Sequence, residues 1–243
     1  MKKEHFQWQW EEDIRMFNIT YNNKTPEHFN AWLATIPIVT PSTIVRTRQN
    51  VPKMDGELLL DDMSFNDAYV EFTIHARRND LVTKMRDIRK WLSGTGKLVI
   101  SDATDAYYEV KEVSFTSYLK KSLDYGRISV KMEVYPYEFL DSGDTYITSY
   151  ATITNNADTS MPLYTITGSG DGVLTVNGHN MVFNVTDELN IDTRRKIAYN
   201  GSGVGKDGSI NGDYEGLYLK PGNNSIACTN GTLKVKPRWG YRV

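Results

Sequence analysis

Apolar residues at Leu81, Met85, Ile88 and Leu92 recur at spacings of four, three and four, which is one face of a 3.6-residue period. The spacing predicts a helix. Asn79 is its N-cap, Asp80 sets a negative charge on the positive end of the dipole, and Gly94 follows the last turn. Its outer face carries Lys84, Arg86, Asp87, Arg89 and Lys90, read as a solvated face or as a basic docking surface for an acidic neighbour. Around the helix the period changes to two. Val70, Phe72 and Ile74 alternate with Glu71, Thr73 and His75, and Ile128, Val130, Met132 and Val134 alternate with Ser129, Lys131 and Glu133. Leu98-Val99-Ile100 and Tyr107-Tyr108-Glu109-Val110 flank five turn formers, 101–105, as the arms of a hairpin. One helix inside a run of antiparallel strands is an α+β layout dominated by its sheet.

Beyond residue 140 no helical period is present. Val173-Leu174-Thr175-Val176 leads into Asn177-Gly178 and returns as Met181-Val182-Phe183, a strong hairpin signal. Further strands are expected at 146–154, 163–167, 189–192, 224–228 and 233–236. Short strands between Gly, Asn and Asp turns predict a β-sandwich. Composition sharpens the division. Residues 1–140 hold 4 of the 18 glycines and four of the five tryptophans (Trp8, Trp10, Trp32, Trp91), as well as 39 of the 58 charged residues. Such unlike halves call for two cores, so the reading is mainly β, with domains 1–140 and 141–243 and a seam in the polar stretch 140–144.

Charge removes whole classes of function. The net charge is −2 and the pI near 6.1, against the basic domain that a nucleic-acid binder presents. A single cysteine, Cys228, excludes an intrachain disulfide or a multi-cysteine zinc site, and its place in a strand makes it an inert thiol. His5, His28, His75 and His179 are scattered singly. No apolar run reaches membrane-spanning length, so no membrane association is expected. The start turns acidic at Glu11-Glu12-Asp13, where a signal peptide needs an apolar stretch.

The motifs that could carry chemistry are incomplete. Residues 203–208 spell G-x-G-x-x-G, but Ser209-Ile210-Asn211-Gly212 follows and cannot open the helix that a dinucleotide site requires. The magnesium hydroxyl of a phosphate loop is missing too, because Asp207 stands in its place. Asp207, Ser209, Asn211 and Gly212 copy the first half of a calcium loop, a weak metal pattern. Tyr218 occupies the position of the bidentate glutamate, so a Gly/Asn-rich surface loop is the reading preferred. Asp61-Asp62 and Asp187-Glu188 point to opposite strand faces, and Asp102 and Asp105 lie in an open loop; no acid/base pair results, and neither an enzyme nor a cofactor is expected. Tyr199, Tyr214, Tyr218, Trp239 and Tyr241 lie among polar loops of the second domain, as sugar-binding platforms do in lectins or as ordinary packing and contact residues.

Read in order, several segments resemble the distal tail (Dit) proteins of long-tailed phages infecting Gram-positive bacteria. Arg89-Lys90-Trp91-Leu92, Lys97-Leu98-Val99-Ile100-Ser101-Asp102 and Ala106-Tyr107-Tyr108-Glu109-Val110 are similar to the WL…L-x-x-S-D…YY stretch of that family. Met132-Glu133-Val134-Tyr135-Pro136-Tyr137 resembles the close of its N-terminal domain. Ile153-Thr154-Asn155-Asn156-Ala157, Met161-Pro162-Leu163, Ile166-Thr167-Gly168-Ser169-Gly170, Ile191-Asp192-Thr193 and 219–224 resemble its C-terminal domain. The chain departs from the family at 51–56, where relatives carry Gly-Arg-Asp-Gly and only Asp55-Gly56 agrees, and over the first dozen residues.

The resemblance implies an N-terminal α+β domain, one helix on a β-sandwich or split-barrel sheet, and a galectin-like C-terminal sandwich. It implies a non-enzymatic virion part at the tail tip, assembled in the host cytoplasm. The N-terminal domains would close into a hexameric ring that passes DNA without binding it specifically. Partners would be the tail tube protein, a tail-associated fibre-like protein, and receptor-binding or baseplate proteins. A near-neutral lumen suits such a conduit. A ring needs two different surfaces on each protomer, and Lys84, Arg86, Arg89 and Lys90 are the candidates for docking. The rival reading is a two-domain carbohydrate-binding protein using Tyr199, Tyr214, Tyr218 and Trp239. The tail 234–243, with Trp239 and Tyr241 after Pro237, is expected to fold back near the domain junction.

Overall fold

A computed structural model describes residues 17–53, 55–77, 80–120, 125–148 and 151–243. The chain is mainly β and forms two compact units. The first runs to Glu138 and takes back Arg242–Val243; the second is Phe139–Tyr241. Trp8, Trp10 and the proposed cap Asn79 lie outside the described residues.

The first unit begins with β1 (Ile19–Tyr21), β2 (Ala31–Leu33), β3 (Ile38–Thr40), β4 (Ile44–Asn50), β5 (Glu57–Phe65) and β6 (Ala68–Arg77). The helix α1 (Leu81–Trp91) is followed by β7 (Gly96–Ile100), β8 (Ala106–Lys120) and β9 (Tyr125–Leu140). The main sheet is ordered β1-β7-β8-β9-β6-β2, and β3 also pairs with β6. β6 and β9 pair without a break from Ala68↔Val134 to Arg77↔Tyr125. That register puts Val70, Phe72, Ile74, Ile128, Val130, Met132 and Val134 on one buried face, the face that the period of two predicts.

The helix covers that face with Leu81, Met85, Ile88 and Leu92, all 2 % exposed or less. Each such side chain contributes about 1.5–3 kcal/mol through burial. Its C-terminal turn is pinned in both directions. Trp91 Nε1 donates to the Tyr21 carbonyl at 2.9 Å, and the Tyr21 hydroxyl donates to the Gly94 carbonyl at 2.7 Å. Phe29 stacks on Trp91 at 5.0 Å. The N-terminus departs from expectation. Asp80 holds the cap position in a left-handed conformation (φ 66°) and its side chain makes no capping bond. The entry is therefore set by a tight backbone turn, with the Lys84 N–H donating to the Asp80 carbonyl.

The second unit contains β10 (Thr152–Asn155), β11 (Leu163–Val176), β12 (His179–Asp192), β13 (Ile197–Asn200), β14 (Ile210–Asn211), β15 (Gly222–Cys228), β16 (Thr232–Lys236) and the start of β17 (Gly240–Arg242). The segments expected as separate strands at 163–167 and 173–176 are one strand, β11. It pairs along its whole length with β12, from Leu163↔Asp192 to Val176↔His179. The Asn177-Gly178 turn closes this hairpin with both residues at positive φ, 50° and 85°. The glycines between the two halves do not end the strand. They let it change partner on one edge, from β16 at 163–167 to β15 at 174–176. At that point Gly172 lies under the Phe183 ring, where an added Cβ would stand 2.4 Å from the ring. Tyr164, Ile166, Leu174, Phe183, Ile191 and Leu233 fill the core. Within the segment expected as a strand at 146–154, the described residues give β10 from Thr152, and Ile147 bridges Val235.

Candidate assembly surfaces

Strands β4 and β5 form a two-stranded ribbon of their own, with Thr47↔Leu60, Arg48↔Leu59 and Gln49↔Leu58 in register. Register assigns its faces. Arg46, Asp61, Arg48, Leu59 and Glu57 share one side, where Arg46 Nε meets Asp61 at 2.7 Å and Arg48 meets Glu57 at 3.4 Å. Leu58 and Leu60 share the other side with Thr47 and Gln49. Leu58, Leu59 and Leu60 are 39 %, 48 % and 42 % exposed, and Ile44 at the root is 40 % exposed. A two-stranded ribbon is marginal in water unless something packs against it. Exposed leucines on such a ribbon, Leu58 and Leu60 on one face and Leu59 on the other, make it a candidate interaction surface. Toward its tip, Lys53 and Gly56 have positive φ. In the sequence the Glu57-Leu58-Leu59-Leu60 run sits among charged residues and shows no alternation.

The basic residues of α1 are where the period puts them. Arg86, Arg89 and Lys90 are exposed; Lys84 is half-buried and donates to the Arg77 carbonyl at 3.3 Å. Arg86, Arg89 and Lys90 share one helix face with the exposed Val82, whereas Lys84 lies on the far flank and does not belong to it.

The four aromatic candidates of the second unit are all half-buried, each with its own polar environment. The Tyr214 hydroxyl donates to Asp207 at 3.0 Å, and burial first, then that carboxylate, pushes it well above the ordinary phenol range. Burial likewise raises Tyr199, reinforced by the Asp192 charge. Tyr218 faces the charge of Lys196, whose ammonium binds Glu215 at 2.7 Å. Trp239 packs on the core, and its carbonyl accepts from the Leu140 N–H. Asp207 Oδ1 also accepts from the Ala198 N–H at 2.6 Å, so this carboxylate braces the loop. Asn211 of β14 pairs with Val182 of β12, and the Ser209 N–H donates to the Lys206 carbonyl. Among the described residues no three His, Cys, Asp or Glu side chains gather as a metal site. The glycine motif at 203–208 runs through turns into a single 3-10 turn and then β14, with no helix after it. Burial raises the Cys228 thiol, which donates to the Asn230 carbonyl.

One buried ion pair organises the end of the second unit. Asp192 at the end of β12 receives both guanidinium nitrogens of Arg238, at 2.7 and 3.0 Å, and the backbone N–H groups of Arg194 and Arg195. Burial raises its pKa, but the Arg238 hydrogen bond and charge outweigh this and hold the carboxyl below its usual value. Thr193 beside it donates to the Pro162 carbonyl at 2.7 Å. The tail then continues past Trp239 into the first unit. The Val243 N–H donates to the Pro136 carbonyl, and its own carbonyl accepts from the Ser42 N–H and hydroxyl.

The fold is similar to that of the Dit protein of phage SPP1, described as a paradigm of the hub adsorption apparatus in phages that infect Gram-positive bacteria. The match has a TM-score of 0.64 at 12 % identity and covers 90 % of this chain and 97 % of that one. No family model and no curated protein matches the sequence. Among the described residues no helix is long and apolar enough to cross a membrane.

Proposed function

We propose that this chain is a non-enzymatic structural subunit of a phage tail tip, a hub that joins the tail tube to the adsorption apparatus. The observation that carries the reading is likeness of fold across both units to a hub adsorption protein. Under this reading six copies close into a ring, and DNA passes through it without specific binding. The tail tube protein, a tail-associated fibre-like protein and receptor-binding or baseplate proteins attach to it. The second unit is its galectin-like outward part.

The β4–β5 ribbon supplies what the ring needs. A cyclic assembly joins two unlike surfaces head to tail, and the ribbon offers an apolar strip that its own unit leaves exposed. We assign Leu58 and Leu60 to one half of that interface, with a second copy of the chain as occupant; Arg86, Arg89 and Lys90 form a separate charged docking face. Size-exclusion chromatography with light scattering tests this. The wild type is expected to reach hexamer mass as concentration rises, and Leu58→Lys with Leu60→Lys to remain a folded monomer. A wild-type monomer at every concentration, with and without tail tube protein, would exclude the ring.

A further inference from the structure

The main sheet of the first unit ends in β1 and β2, strands of three residues each that offer little to a further strand. A longer open edge lies on β8. β7 pairs with it only over Gly96↔Val110, Lys97↔Glu109 and Leu98↔Tyr108. β8 runs on to Lys120 beside β9, and among the described residues no strand pairs with that stretch on the side β7 has left. Ser114, Phe115, Thr116 and Ser117 are all exposed. Successive side chains point to opposite faces, so neither face is covered there.

Native sheets blunt such an edge with lysine or proline. Val113-Ser114-Phe115-Thr116-Ser117 has no charge and no proline, and Val113, Phe115 and Thr116 are residues that strands favour. The β4–β5 ribbon is its counterpart. It is a sheet of two strands, so each strand keeps one edge unpaired among the described residues. β5 carries the uncharged run Leu58-Leu59-Leu60. The nearby ribbon charges are already matched, Arg46 with Asp61 and Arg48 with Glu57, so covering the ribbon strands neither pair.

We propose that the open edge of β8 is the second half of the ring interface, and that β5 of a second copy adds to it as a strand. The assignment rests on the ring reading above and names the surface that receives the ribbon. Backbone hydrogen bonds along 111–117 supply the pairing, and Phe115 meets Leu58 and Leu60. Edge and ribbon are different surfaces of one chain. Each copy therefore gives its ribbon to one neighbour and its edge to the other, the head-to-tail pattern that closes a ring.

Hydrogen exchange and light scattering on the full chain test the proposal. In the wild-type oligomer the amides of 111–117 should exchange about tenfold or more slowly than in the monomeric variant Leu58→Lys with Leu60→Lys. Phe115→Lys, at a ring already 37 % exposed, should keep the circular dichroism spectrum and lose the oligomer. Mixed at high concentration, the two variants should form a one-to-one dimer, because one brings an intact edge and the other an intact ribbon. Wild-type assembly by Phe115→Lys, or unchanged exchange at 111–117 in a wild-type ring, would overturn the β8 seam and leave the ring standing. Variants that stay monomeric when mixed would overturn the ribbon as the strand that β8 receives. A wild type that stays monomeric, alone and with tail tube protein, would overturn seam and ring together.

Discussion

Asp192 shows how much a single residue carries. Its side chain is 2 % exposed, and its charge is tolerated because Arg238 binds both oxygens while two backbone N–H groups add to the shell. Removing one partner leaves the other buried and uncompensated, which costs several kcal/mol. Arg238→Leu is therefore expected to destabilise the second unit by about 3 kcal/mol in denaturant melts. The pH dependence follows from the depressed carboxyl. Its contribution is full above the usual value of 3.8 and is lost as pH falls below it. The stability advantage of the wild type over Asp192→Asn should thus shrink on acidification through that range, which a series of thermal melts would reveal. Gly172 makes a different demand, since a methyl there would meet the Phe183 ring. Gly172→Ala is expected to cost about 1–3 kcal/mol through overpacking. In the sequence Asp192 stood out only as part of Ile191-Asp192-Thr193. Its partner, 46 residues away, carries no local signal, because an ion pair across a fold has no period.

Elements were legible wherever one face is buried and the other wet. Helix α1 and strands β6 and β9 follow their apolar periods because each has one core face and one polar face. In the sequence β11 reads as two short strands because its Gly168, Gly170 and Gly172 look like turn formers. In the structure they let one strand bend and exchange β16 for β15. The β4–β5 ribbon gives a weaker signal for the opposite reason. It has no core face, so its three leucines and its charges give no clean alternation. For the same reason it is the element whose surface can change without harming the fold. Leu58→Lys with Leu60→Lys should alter the melting temperature by no more than about 2 °C, on the order of the effect of an exposed substitution. A collapse of the circular dichroism signal would instead make these leucines part of the core.

At the scale of the molecule, glycine and charge shift near residue 140, and the chain forms two compact units. What could not be read is where the tail goes. Trp239 serves the second unit and Val243 the first, with Ser42 and Pro136 as its partners. Deleting residues 238–243 removes the Asp192 partner and both sets of backbone bonds. It should lower the melting temperature by roughly 5–10 °C, measured by scanning calorimetry. The role proposed for the chain is a ring-forming hub of a phage tail tip. Negative-stain electron microscopy of the purified protein, alone and with the tail tube protein, tests it most directly. Closed rings with six-fold symmetry and an open centre are expected. Single two-lobed particles under both conditions would contradict it.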